Sequence, residues 1–276
     1  MKRGTPLLLA IVAFMAAGAN RAAGATLYGA TAGNSPTGDF YIIDPSTGTG
    51  TFVGPIGFGV TGLAYDPLSG VLYGSTSNQS NAAGSLIRID PGTGAGTLIG
   101  SYGFPGQTMA DLTFTPDGTL YGWLEPQAEN LYRIDPATGA ATLVGQSGLT
   151  GTFGSGLEAN SSGVLFFAGF GAGGQLDIIS PVTGLASFFA DLDDPDLGVE
   201  INALAFSPTG VLYAVERNAP YQLAIINTTA RHITDLGPTV NLLDAIEFVP
   251  TAVPEPASMA LLGCGLFVFG WLRRRQ

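Results

Sequence analysis

Asp111, Glu158, Asn202, Asp244 and Glu247 are the side chains whose types and spacing offer chemistry. Each falls within two residues of the central apolar residue of a recurring strand, at Leu112, Leu157, Leu204 or Ile246. Oxygen ligands gathered from several strands suit a hard cation such as Ca²⁺, and Asp111, Glu158, Asn202 and Asp244 are the candidate ligands. Pairs of carboxyl groups about 5 to 9.5 Å apart would instead serve glycoside hydrolysis. A body holding 20 acidic residues between positions 26 and 250 also fills such positions by chance, so a merely acidic surface stays open beside both readings. A nucleophilic triad lacks its base, because His232 is the sole histidine and sits beside Arg231 in a degraded repeat. Cys264 is the sole cysteine and lies near the C-terminus, which gives the body neither a disulfide nor a zinc site. No catalytic residue and no cofactor is assigned, calcium being the one candidate. The acidic run Asp191, Asp193, Asp194, Asp196 and Glu200 lacks the glycine and glutamate spacing of an EF-hand loop and reads as a solvated connection.

The elements that must position these residues repeat five times. One part is Leu-Tyr-Gly or a variant, starting at Leu27, Leu72, Leu120, Leu165 and Leu212. The next is Ile-Asp-Pro-x-Thr-Gly, starting at Ile43, Ile89 and Ile134 and degraded at Ile179 and Ile226; the isoleucines are 46, 45, 45 and 47 residues apart. A third resembles Thr-Leu-Val-Gly, at Thr51, Thr97 and Thr142, with weaker copies near Ser187 and Thr234. The fourth is Gly-Leu-Ala-Tyr-Asp-Pro or a variant, centred on Leu63, Leu112, Leu157, Leu204 and Ile246. Leu86 to Asp90 alternates with period two, and Asp90-Pro91-Gly92-Thr93-Gly94 supplies the turn: Asp to bond backbone amides, Pro to fix φ, Gly to enter the left-handed region.

Four strands in about 45 residues is the size of a propeller blade. The chain opens on a Leu-Tyr-Gly strand and closes on a fourth-type strand, so the two incomplete ends make one blade and close the ring. The expected fold is therefore all-β: a five-bladed propeller of four-stranded blades, closed by terminal strands sharing one blade, with apolar terminal helices outside it. An open β-solenoid is the competing architecture, but its repeats are shorter and need caps. The pairing of Gly-Leu-Ala-Tyr-Asp-Pro with Val-Leu-Tyr-Gly resembles the inner two strands of NHL and related β-propeller repeats, over nearly all of residues 26 to 250. The resemblance implies that the strands around Leu63, Leu112, Leu157, Leu204 and Ile246 line the central channel. Tyr28, Tyr73, Tyr121 and Tyr213 keep step with the blades and read as packing between sheets. Trp123, Tyr102 and Phe104 escape the period and are the candidates for a glycan platform, beside the plainer reading that they only pack.

The termini decide location. Lys2 and Arg3 precede an apolar run from Leu7 to Ala17, and Ala23 and Ala25 frame an Ala-x-Ala cleavage pattern, which together read as a signal peptide over residues 1–25 for Sec-type export. Val253-Pro254-Glu255-Pro256 is followed by an uncharged apolar stretch from Ala257 to Leu272 and by Arg273, Arg274 and Arg275. Sixteen helical residues reach about 24 Å, a little short of the ~30 Å hydrocarbon core. The arginines belong on the cytoplasmic side, with the body opposite.

These residues, within segment 251–276, resemble the PEP-CTERM sorting signal of exported proteins in Gram-negative bacteria that make extracellular polysaccharide. The resemblance implies an integral-membrane exosortase as partner, with Pro254, Glu255 and Pro256 as its recognition element. It also implies a transient stay in the inner membrane and a destination at the cell surface or in the extracellular matrix. Residues 26–250 carry four arginines and no lysine against their 20 acids, a net of −16, which excludes nucleic acid and anionic lipid as partners. The expectation is thus a binding or structural module with extracellular polysaccharide as its partner. A propeller hydrolase or calcium-dependent lactonase using channel carboxylates is the alternative, and a purely structural coat protein a third reading.

Overall fold

A computed structural model describes residues 24–32, 35–126, 128–169, 174–192, 200–217 and 220–251. Residues 1–23 and 252–276 lie outside it, and with them the terminal helices, Ala23 and the Pro254-Glu255-Pro256 element. Each repeat part becomes one strand. The first blade opens with β1 (Ala25–Thr31), β2 (Asp39–Ile43) and β3 (Gly50–Pro55). The second holds β4 (Val60–Tyr65), β5 (Leu72–Thr76), β6 (Ser85–Ile89) and β7 (Gly96–Ser101), and the third β8 (Thr108–Phe114), β9 (Leu120–Glu125), β10 (Asn130–Ile134) and β11 (Ala141–Gly145). The fourth holds β12 (Gly156–Ala159), β13 (Leu165–Ala168), β14 (Gln175–Ile179) and β15 (Ala186–Asp191), and the fifth β16 (Ile201–Phe206), β17 (Leu212–Glu216), β18 (Gln222–Asn227) and β19 (His232–Pro238). The last strand, β20 (Leu243–Pro250), returns to the first blade and pairs antiparallel with β1, from Ala25 opposite Pro250 to Thr31 opposite Leu243.

The five sheets are all antiparallel, and β20, β4, β8, β12 and β16 are innermost and pack on one another around the axis. The apolar core divides in the same way into five clusters, one at every junction between blades. Leu27 and Ile43 of the first blade, for example, pack with Leu223, Val215 and Ala203 of the fifth. No blade buries its own faces, so stability comes from the ring.

The turn and the strand-end glycine of the repeat make a single device. The Thr93 carbonyl of the second blade rests where a side chain on Gly54 of the first would project; Thr138 lies likewise on Gly100, Thr183 on Gly145, and Thr47 of the first blade on Gly237 of the fifth. Backbone on backbone contact of this kind admits only glycine, and the last pair closes the ring at its rim as β1 and β20 close it at its centre. The turn aspartates hold the turn itself. Asp90 Oδ1 accepts from Gly92 N at 2.9 Å and Oδ2 from Thr93 Oγ1 at 2.9 Å, and Asp135 repeats this with Ala137 N and Thr138 Oγ1. In the fifth blade, Asn227 replaces the aspartate, and Arg231 occupies the glycine position at φ 59°.

Candidate functional site

The channel is built in three layers, because the inner strands are bulged. Register slips between Val60 and Gly62, Met109 and Leu112, and Ile201 and Ala203 let two successive positions face the axis before strict alternation resumes. At the mouth where the inner strands begin, the successive residues are Thr61, Ala110, Ser155, Asn202 and Asp244. One step on come Gly62, Asp111, Gly156, Ala203 and Ala245, and two further on Ala64, Thr113, Glu158, Ala205 and Glu247.

Four small residues in the central layer leave room for one larger one, and Asp111 fills it with no exposure to solvent. Its Oδ1 accepts from Leu112 N at 2.9 Å, and its Oδ2 from Leu157 N at 3.0 Å and Leu204 N at 3.5 Å. One carboxyl group thus ties β8 to β12 and β16. Burial pushes its pKa well above the carboxylate range, against those hydrogen bonds, and nearby Glu158 adds to the rise. Glu158 is raised to about 8 by burial, and Glu247 is raised by burial and by the charges of Glu158 and Asp111.

The four residues expected to share a cation are therefore spread along the axis. Asn202 and Asp244 stand in the first layer, Asp111 in the central one, and Glu158 beside Glu247 in the last. Among the described residues, no three His, Cys, Asp or Glu side chains group so as to hold a metal ion. Positions one and two residues from a central leucine thus belong to different layers, because the bulges separate them.

The first mouth opens into a cavity of about 380 Å³. Asn202 Nδ2 donates to Asp244 Oδ1 at 2.6 Å, and Ala32 N donates to Oδ2 at 2.9 Å. Glu125, at the end of β9, accepts from Gly154 N at 2.9 Å and Ser155 Oγ at 2.5 Å, while burial raises its pKa to about 7. Gly154 has a left-handed backbone at φ 58°, and a Cβ there would stand 2.6 Å from Asn202 Oδ1 and 3.1 Å from Arg217 Nη1, so a larger residue would displace both side chains. Arg217 lies 3.9 Å from Glu200 across the rim. Two apolar side chains flank this polar set, Phe153 at 46% exposure and Leu242 at 40%, the latter at φ 60°, where a leucine is strained.

Sequence reading missed Glu125, Arg217, Phe153 and Leu242. Glu125 ends β9 and Arg217 follows β17, where the corresponding strands of the first two blades end in Thr31 and Thr76, and that departure was the available signal. The glycan platform is corrected: Trp123 is fully buried, its ring tilted at 40° against Phe167 with centroids 4.2 Å apart and its Nε1 donating to Thr152 Oγ1 at 3.2 Å, and Tyr102 is 3% exposed. Their break from the repeat marks filled gaps between blades. The periodic tyrosines do pack within and between blades, Tyr28 against Phe40, Tyr73 against Phe114 and Tyr213 against Phe248. His232 begins β19 exposed on the outer strand.

No curated protein matches the chain. Among solved structures, a chain of a nidogen/laminin complex aligns at TM-score 0.56 with 13% identity, covering 82% of this chain and 98% of its own. A protein of unknown function from Bacteroides thetaiotaomicron aligns at TM-score 0.55 with 16% identity, covering 83% of this chain and 62% of its own. At such identities the likeness is one of fold. Residues 252–275 match the PEP-CTERM protein-sorting motif, which implies export and handling by an exosortase. The chain is thus a five-bladed propeller that carries a PEP-CTERM sorting motif.

Proposed function

We propose that the propeller is the ligand-binding module of a surface-sorted protein and that it binds a polysaccharide segment at the first mouth. The observation that carries this reading is the pairing, over one cavity, of exposed Phe153 and Leu242 with Asn202, Asp244 and Arg217. Apolar side chains cover the C–H faces of a sugar ring, and planar amide, carboxylate and guanidinium groups bond its hydroxyls in fixed directions. A glycan array probed with the full-length protein tests it. Binding of one glycan class by the wild type, lost in Asn202→Ala, supports the reading; a protein that binds no glycan, or an Asn202→Ala variant that binds unchanged, refutes it.

A hydrolase at this mouth is the second reading, because Glu125, with a pKa near 7, and Asp244 line the same cavity. Release of reducing ends from a bound glycan, abolished in Glu125→Gln, would favour it.

The ends of the chain complete the proposal. Export removes residues up to Ala25, and an exosortase reads Pro254, Glu255 and Pro256 and removes the tail. The span and Arg273 to Arg275 hold the precursor in the inner membrane until then. Mass spectrometry of the surface-localised protein checks this, since a peptide containing Cys264 in that population would contradict tail removal.

A further inference from the structure

The second mouth, where the inner strands end, has the opposite character. It opens into a cavity of about 470 Å³ lined by Glu158 and Glu247 and walled by Tyr65, Phe114, Phe166 and Phe206. Arg217 lines the first mouth, whereas neither lysine nor arginine lines this one. The carboxyl groups of this mouth are Glu158 of β12 and Glu247 of β20, with Asp111 of β8 buried one layer deeper, and Tyr65 of β4 is the other titratable side chain in the lining.

Glu158 is the key side chain. It is 6% exposed, and its Oε1 accepts from Phe206 N at 3.3 Å. Its Oε2 is buried and has no hydrogen-bond partner, which is rare for a native polar atom and calls for an explanation. The Thr113 hydroxyl and the Phe206 and Ala159 amides act against the rise in the Glu158 pKa, as those of Phe248 and Tyr65 do at Glu247, yet none of them bonds Glu158 Oε2. A metal ion is a poor candidate, since among the described residues no three His, Cys, Asp or Glu side chains group as metal ligands do. Aromatic faces around a carboxylate suit an organic cation, which pairs with the charge and lies against the rings.

We propose that this mouth binds a primary ammonium group, with Glu158 Oε2 as its acceptor and the aromatic walls holding the body that carries it. Glu158 and Glu247, raised by burial when the cavity is empty, lose protons to solvent as the cation enters, because an adjacent positive charge favours the ionised form. The strongly negative body draws cations toward the opening.

Isothermal titration of the full-length protein at pH 7.5 with 1,5-diaminopentane and with glucosamine tests the proposal, with N-acetylglucosamine as control. Saturable binding of either amine is expected, weakened at least tenfold in Glu158→Gln and unaffected by Asn202→Ala, with a heat that scales with the ionisation enthalpy of the buffer. The amine that binds identifies an aliphatic or a sugar body. Absence of saturable binding by both amines overturns the proposal, as does equal binding of N-acetylglucosamine and glucosamine in Asn202→Ala, where the first mouth is disabled, or full affinity in Glu158→Gln once its folding is verified by a thermal melt.

Discussion

Carboxylates occur in this protein in two settings that treat the same group in opposite ways. At the rim, Asp44, Asp90 and Asp135 are solvated, each accepts hydrogen bonds from the turn that it begins, and each has its pKa lowered by those bonds. On the axis, Asp111, Glu158 and Glu247 also accept backbone amides, yet burial outweighs the bonds and their pKa values rise. Hydrogen bonds thus set the direction only where water keeps the cost of charge low. The rim acids fold one turn; those on the axis join separate blades.

The largest test of that contrast is Asp111→Ala. It leaves the amides of Leu157 and Leu204 without their acceptor and empties the central layer, and a loss of about 3 kcal/mol is expected in urea unfolding. Asp111→Asn keeps an acceptor on one side only and sets its Nδ2 donor against an amide N–H on the other, so a smaller loss, about 1 to 2 kcal/mol, is expected. If the alanine variant costs no more than a rim substitution, the axial carboxyl does not join blades.

The two sets also predict a stability profile with two limbs. Glu125 and Glu158 have native pKa values of about 7 and 8 against an ordinary 4.5, so between pH 4.5 and 8 the native state holds protons that the unfolded chain has released. Stability therefore falls as pH rises through that window, and melting near pH 5 should lie about 5 °C or more above melting at pH 8. The rim aspartates are lowered from 3.8, so their contribution is present above that pH and disappears as pH falls below it. Scanning calorimetry from pH 3 to 9 should show a maximum between the limbs, and Glu158→Gln should flatten only the alkaline one.

Smaller effects belong to the rim. Asp90→Ala removes two turn hydrogen bonds in solvent and should lower the melting temperature only slightly, with the acidic limb reduced. Arg231→Gly relieves the left-handed strain in the one turn where glycine is missing, and a gain of about 0.5 kcal/mol is expected. A loss there would mean that the arginine side chain contributes more than its backbone conformation costs.

The repeat made the fold readable. Asp-Pro-x-Thr-Gly turns, period-two strands and unmatched end strands led directly to five blades and to the shared first blade, because each is a local constraint with one geometric solution. The channel was only half readable. Asp111, Glu158, Asn202, Asp244 and Glu247 do face the axis, but the bulges that sort them into layers leave no mark in residue type. Glu125 and Arg217 belong to second strands and their loops, where an inner-strand search does not look. Trp123 and Tyr102 misled because a large aromatic outside the period was equated with exposure, whereas blades of unequal side chains need such residues to fill the space between them.

β20 ends at Pro250 on the face where the inner strands end, and in the uncleaved precursor Thr251 N donates to Gly24 O at 2.7 Å, so that leader and tail leave side by side until export removes residues up to Ala25. A leash fastened there turns that face, with Glu158 and its aromatic walls, toward whatever holds the protein, and points the mouth of Asn202, Asp244 and Arg217 away from it. The two ends of one channel then meet different surroundings, and cutting the leash would be the event that makes them equivalent.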